Sequence, residues 1–443
     1  MRYGKLIFLL TFFALVIQSP FLLYEKPDEL MFIPLFLILG LAAPFFFGKN
    51  ADKEDADFQL NIFYIAFSIR VLSGFIIYGW GLEKMFGDED ASGYIHAWTV
   101  AENWYKNGLD GFFSDIYRVF LEKQNIGQNI IWGIPMFISG GASRLIVSVT
   151  NSFFGAILVV VVYRLARTLF DFQIARITAF LMTFWLSFVL LSAGTSKEIL
   201  VISLEWSLLY LAIRSQKGFT QKDVLTSAPL MLLLYTMRFY AFYICAGAFF
   251  IKALITNKKY FVRNSVLGVV LLASLLFFLD TSGVVNRDFT RLESQNESID
   301  AWRTSVAKTT GSGTNVVSEY QGSLLLLPVA TIYFFFAPFP WQIFDGSLRI
   351  SFAAIENIAL IVFFILGFPA IKEFFKERFY QLAPIIAFCV VYASFQIWGL
   401  SNLGLAWRHK QTVMPLFFLL LALSLAKNFK KKSLPVNRKL SGF

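Results

Sequence analysis

Apolar and polar stretches alternate along this chain at a period far longer than a strand or a soluble helix. Runs at Lys5–Tyr24, Met31–Gly48, Leu60–Trp80, Leu145–Leu165, Ile174–Ala193, Ile199–Ile213, Pro229–Met237 and Phe239–Ile255 are separated by short polar turns. They continue at Val262–Leu279, Leu324–Phe336, Ile350–Ile371, Leu382–Trp398 and Val413–Ala426. Helices of that length span a bilayer, whereas a barrel would show short alternating strands. The pattern predicts an all-α polytopic membrane protein with about 12 transmembrane helices. The basic Arg2 and Lys5 before the first run, with no small-residue cleavage site after it, suit an uncleaved start-transfer helix.

Two polar segments interrupt the series, at 82–128 and 280–322, and both are read as external loops. In the first, Tyr94, Trp98 and Tyr105 recur at near-helical spacing and Asn107-Gly108 supplies a stop. The spacing predicts an amphipathic interfacial helix over Ser92–Asn107. Ile130–Ile138 is too short to span and carries Pro135. In the second loop, Thr309–Asn315 has the composition of a flexible flap. The expected organisation is one transmembrane domain over 1–427 and a basic cytoplasmic tail over 428–443, with Lys427–Lys439 carrying the charge.

Composition narrows the class without changing it. At 57% hydrophobic residues, 52 Phe and a mean hydropathy of +0.63, the charged residues are too few to coat a soluble globule. Cys245 and Cys389 lie within apolar runs, so buried inert thiols are expected and no disulfide or zinc framework is implied. Placing the N-terminus, the turns near 54, 170, 217, 258 and 375, and the tail in the cytoplasm collects more than half of the 39 Lys and Arg there. Anchoring loops then account for the pI near 9.4, with no nucleic acid required. Arg70 falls inside the third run, and an intramembrane Arg calls for a carboxylate partner, with Glu205 and Glu356 as candidates.

That topology gathers chemistry at one boundary. Asp88, Glu89 and Asp90 precede the amphipathic helix; Lys197 and Glu198 close the turn Gly194-Thr195-Ser196-Lys197-Glu198. Arg238 separates two short runs, and Arg408, His409 and Lys410 precede the last. Separately each has a plainer reading: a capped solvated loop, a snorkelling lysine, a solvated turn. Together they set a carboxylate opposite several cations at headgroup level, an arrangement suited to displacing phosphate from a polyprenyl carrier.

The chain resembles the GT-C class of integral-membrane glycosyltransferases, particularly bacterial members of the dolichyl-phosphate-mannose mannosyltransferase and aminoarabinose transferase type. The resemblance is carried by Asp90-Ala91-Ser92-Gly93-Tyr94-Ile95-His96-Ala97, by Tyr163-Arg164-Leu165-Ala166-Arg167 within Ser143–Phe170, and by Ser196-Lys197-Glu198. Met237-Arg238-Phe239-Tyr240, Phe336-Ala337-Pro338-Phe339-Pro340-Trp341 and Trp407-Arg408-His409-Lys410 complete it, over roughly residues 60–427. The aminoarabinose branch has Asp-Glu followed two residues later by Tyr, but Asp90 is followed by Ala91 and the second acid is missing. The large soluble domain some members carry after the last span is not expected either, so acceptor recognition would fall to loops. The resemblance implies a GT-C-like bundle with amphipathic juxtamembrane helices in external loops, in a bacterial inner membrane. It also implies inverting transfer, outside the membrane, from a polyprenyl-phosphate sugar to an acceptor hydroxyl on a glycan or lipid.

In that scheme Asp90, at a helix N-terminus, is the general base, beside Asp88 and Glu89. Arg238, Lys197, Arg408 and Lys410 neutralise the leaving phosphate near Glu198 and His409. Tyr94, Trp98 and Trp341 either stack on sugar or prenyl groups or anchor in the interface. The residues leave room for a divalent cation near Asp88 and Asp90 without assigning one. A polymerase or ligase of lipid-linked glycans is the alternative enzyme. A polysaccharide transporter would show more intramembrane charge and repeated halves than Arg70, Glu205 and Glu356 supply.

Overall fold

A computed structural model describes residues 2–47, 53–87, 93–119, 126–214, 221–255, 327–344, 347–398 and 403–433. The acids at 88–90, the predicted run 262–279 and the 280–322 loop lie outside them. Every regular element among the described residues is helical. The long helices are α1 (Arg2–Glu25), α2 (Phe32–Phe46), α3 (Lys53–Gly74) and, after the one-turn α4 (Glu83–Phe86), α5 (Gly93–Tyr117). Next come α6 (Gln128–Ser139), α7 (Arg144–Leu169), α8 (Phe172–Phe184), α9 (Leu186–Ala193), α10 (Glu198–Arg214), α11 (Gln221–Met237) and α12 (Phe239–Ile255). The chain closes with α13 (Leu327–Phe336), α14 (Leu348–Trp398), α15 (Leu403–Lys410) and α16 (Met414–Ser433), which runs past residue 427.

Five helical stretches among the described residues are long and apolar enough to cross a membrane, and two bent pairs, α8 with α9 and α15 with α16, raise this to seven. The central one is α7, apolar all round and buried along most of its length, as a helix without a polar face must be. Phe63 and Phe67 of α3 meet Phe153 of α7 edge-on, with ring centroids 5.8 and 6.0 Å apart. By contrast α1, α2 and the first part of α14 keep much apolar surface exposed, including Leu10, Ile17, Ile38 and Phe368. That suits helices solvated by lipid tails.

Side-chain bonds sort the helix ends into two sets. At one, Lys26 donates to Tyr78 O (2.7 Å), and Glu29 accepts from the backbone N–H of Arg144 (3.0 Å) and Leu145 (2.8 Å), capping α7. At the other, Tyr163 bonds Asp55, Arg164 reaches Gln59 (2.8 Å), Arg176 reaches Glu54 (3.1 Å) and Arg214 pairs with Asp223 (2.7 Å). This is the alternation that the charge count predicts for residues near 54, 170 and 217.

Two elements differ from the sequence expectation. The predicted run 174–193 breaks at Trp185, where the two halves bend by 54°. Arg70 serves this break and has no carboxylate partner among the described residues, a correction to the expected ion pair. Its guanidinium donates to Met182 O (3.1 Å) and Thr183 O (3.4 Å), carbonyls at the C-terminal end of α8, and to Ser192 Oγ (3.2 Å) and Ala66 O (3.0 Å). Glu356 takes the other half, accepting from Ser187 N (2.7 Å) and from the Ser187 hydroxyl at the start of α9. A cation at a helix C-terminus and an anion at a helix N-terminus satisfy orphan backbone groups and oppose the two dipoles.

The two predicted runs 350–371 and 382–398 are joined by helical backbone into α14. Asn357 and Tyr392 nevertheless both reach the adjacent residues Lys410 (2.5 Å) and His409 (3.3 Å). On a straight helix those two residues would stand about 50 Å apart. The segment therefore cannot run as one straight helix. In α5, Gly108 breaks the helix at φ 57°, ψ −135°, the stop expected from Asn107-Gly108.

Candidate functional site

The turn between α9 and α10 is held from below. Asn151 of α7 donates to Gly194 O (2.8 Å) and Ser196 O (3.0 Å) and accepts from the Trp132 indole (2.9 Å). That fixes Lys197, whose ammonium donates to Met237 O (3.0 Å), and Glu198, whose carboxylate meets the Arg238 guanidinium at 3.1 Å. Arg238 sits at the break between α11 and α12, and α15 brings His409 against it. Arg238 Nη1 lies 3.2 Å from Tyr392 Oη and 3.3 Å from His409 Nδ1, and Tyr392 Oη is 3.3 Å from the same nitrogen. A guanidinium can only donate, so His409 Nδ1 accepts and its proton sits on Nε2.

The cluster carries surplus positive charge. Arg238 is 5% exposed and paired, while Arg408 is half-buried, with its Nε donating to Gly404 O (3.2 Å). Lys197, Arg238 and Arg408 thus gather around the carboxylate of Glu198, with Glu205 deeper along α10 the other acid of this region among the described residues. Lys197 and Glu198 precede the apolar run 199–213, and their titration reflects this crowding. Burial first, then Arg238, pushes the Lys197 amine down to about 8, against the pull of Glu198. Burial opposes ionisation of Glu198, but Arg238, Arg408, His409 and Lys197 outweigh it and hold the carboxyl down at about 2.

Lys410 does something else. Buried at 2% exposure, its ammonium is spent on Ala337 O (3.0 Å), Phe335 O (3.4 Å) and Asn357 Oδ1 (2.5 Å). Trp341 stacks on Phe339 at 4.7 Å between ring centroids and stays 75% exposed. Tyr94 is half-buried beneath Arg144, whose guanidinium lies 4.9 Å from the ring centroid.

Asp88, Glu89 and Asp90 lie outside the described residues, but both flanks of their segment are placed. At Gly87 (φ 65°), a Cβ would come within 3.0 Å of Ser347, just beyond the Trp341 loop. At Gly93 it would come within 3.1 Å of Trp132 and 3.6 Å of Thr195 O, two residues before Lys197. The start of α6 joins the same neighbourhood, Gly127 N donating to Thr236 O (3.1 Å). Among the described residues no three His, Cys, Asp or Glu side chains gather to hold a metal.

Sequence reasoning missed Tyr392, Asn357 and Arg144. Tyr392 and Asn357 sit inside an apolar run, where a lone polar group is the available signal. Arg144 opens a span and reads as an ordinary flanking charge. Glu205 also belongs to this region: it is fully buried, seven residues along α10 from Glu198, and neither carboxylate oxygen has a hydrogen-bond partner among the described residues.

No protein-family model matches the chain, and no curated protein matches it. Among solved structures, the chain is similar to the archaeal oligosaccharyltransferase AglB from Archaeoglobus fulgidus, in complex with an inhibitory peptide and a dolichol-phosphate. The identity is 17%, the TM-score 0.45, and the match covers 87% of this chain and 53% of that one, so the chain spans about half of that protein's length.

Proposed function

We propose that the chain is a membrane glycosyltransferase that moves a sugar from a polyprenyl-phosphate donor to an acceptor hydroxyl, on the outer side of the membrane. The observation that carries this reading is the surplus of cations over carboxylate where Lys197, Glu198, Arg238 and Arg408 meet. Such a cluster at the end of an apolar bundle suits a phosphate whose hydrocarbon tail stays in lipid. Support for pairing it with the acids comes from Gly93, three residues after Asp90, which packs against Thr195.

In the proposed step, Asp90 takes the proton of the acceptor hydroxyl, the acceptor oxygen bonds to the anomeric carbon, and that carbon's bond to phosphate oxygen breaks. The phosphate leaves with the electron pair, and Arg408, Lys197 and Arg238 balance its charge. Glu198 keeps Arg238 oriented. Lys410 has no direct part in this step, because its donors are already spent.

A strain lacking the chain, profiled for lipid-linked glycans, tests the proposal. The expected result is loss of one sugar, restored by the wild-type chain and not by Asp90→Asn, which should be at least about 100-fold slower if general-base catalysis has its usual worth. Accumulated single repeat units would point to polymerisation instead, and full restoration by Asp90→Asn would show that the base lies elsewhere.

A further inference from the structure

The end of α13 presents an accounting problem. Its last carbonyls have no intrahelical donors, and Pro338 and Pro340 supply no backbone N–H to the loop that follows. Unpaired carbonyls in an apolar bundle are costly. Two buried side chains resolve this: Lys410 donates to Phe335 O and Ala337 O, while Asn357, 1% exposed, donates to Phe336 O (3.0 Å) and Pro338 O (2.6 Å). The third Lys410 donor goes to Asn357 Oδ1. An ammonium has three donors and an amide two, so the whole donor set is spent on four consecutive carbonyls and the link between the two side chains.

Beyond the latch the loop has few alternatives. Phe339 packs edge-on against Tyr333 at 5.0 Å, its N–H donates to Gln342 Oε1 (2.8 Å), and Trp341 lies nearly parallel to it, at 6°. An aromatic that only anchors a protein in lipid needs no such fixing. Lys410 is also joined directly to His409, which touches Arg238.

We infer that Lys410 and Asn357 are positioning residues that hold the stacked Phe339–Trp341 pair in one pose and tie its loop, through the adjacent His409, to the Arg238 centre, so that a phosphate bound there is felt at the indole. The first half rests on the latch alone; the second rests on the proposed phosphate site. An anion drawing Arg408 and His409 toward it moves the next residue, and Lys410 carries that displacement into the four carbonyls.

The test is fluorine NMR on the full chain in detergent, with its ten tryptophans replaced by 5-fluorotryptophan. The Trp341 line is assigned by its loss in Trp341→Phe, and direct binding of radiolabelled polyprenyl phosphate establishes saturation. In the wild type the Trp341 line should shift on saturation. In Lys410→Met it should be displaced before any lipid is added and then stay put when lipid is bound. Asn357→Asp keeps a partner for Lys410 but loses both carbonyl donors, and it serves if Lys410→Met does not fold. Its line should be displaced likewise. An unmoved Trp341 line in either folded variant overturns the inference. So does loss of lipid binding in Lys410→Met with the line undisturbed, which would make Lys410 a direct phosphate ligand. Failure of the wild type to bind polyprenyl phosphate would instead sink the phosphate site, and the ligand-free lines would still decide the latch.

Discussion

Arg238 and Arg408 are both arginines at the same centre, and their surroundings predict different mutant phenotypes. Arg238 is buried against Glu198, so Arg238→Ala strands a buried carboxylate and should cost about 3–5 kcal/mol of stability. Adding Glu198→Gln should recover much of that loss, measured as melting temperature in detergent. Arg408 is half-buried with one nitrogen on Gly404 O, so Arg408→Ala should weaken polyprenyl-phosphate binding roughly tenfold, as loss of a charge-assisted contact does. Its melting temperature should hold; unchanged affinity would remove Arg408 from the phosphate site. Lys197 adds a pH signature. With its amine near 8, it is cationic below that pH and neutral above, so phosphate affinity should fall as pH rises from about 7.5 to 9. The phosphate itself is already doubly ionised over that window, its second pKa being about 6. Lys197→Met should flatten the profile, and a step of equal size in that variant would assign the titration elsewhere.

At the scale of elements, broken helices place the site. Arg238 is available because α11 and α12 part at it, and the α8–α9 break is kept by Arg70 on one side and Glu356 on the other. Arg70→Met leaves the buried carbonyls of Met182 and Thr183 without their donor and should destabilise the protein by about 2–4 kcal/mol. Phosphate affinity should change little, since Arg70 touches none of the cation cluster. A large loss of affinity at unchanged melting temperature would show that Arg70 acts on the site rather than on the helix break. The expectation of a carboxylate partner failed for a physical reason. An irregular backbone inside a bundle offers carbonyl acceptors that hydropathy cannot show, and these satisfy a guanidinium as well as an acid does.

Across the whole molecule, residues near 26, 82, 143 and 196 share one end of the bundle, and those near 55, 163, 176 and 214 share the other. Positive-inside charge then predicts that the first end faces outward. Single cysteines at 92 and 311 should react with an impermeant thiol reagent on intact cells, and cysteines at 217 and 435 only after permeabilisation. Cys245 and Cys389 are buried and should stay silent. Protection of 92 and 311 in intact cells would place the proposed site on the cytoplasmic side.

Hydropathy and charge were enough to establish a helical bundle, the helix stop at Gly108, and the grouping of 194–198, 238 and 408–410 at one end. Those features follow from local composition: length of apolar runs, the Asn107-Gly108 pair, and Lys and Arg counts between runs. What each charged group does there was decided by tertiary contacts. Lys197, Arg238, Arg408 and Lys410 look alike in sequence. Glu198 neutralises one, burial and then Arg238 depress another, and three acceptors at the end of α13 and on α14 consume the donors of Lys410. Those partners come from helices far apart in the chain, and the role of a buried charge is set by which acceptors surround it, information that the local pattern of residues does not contain.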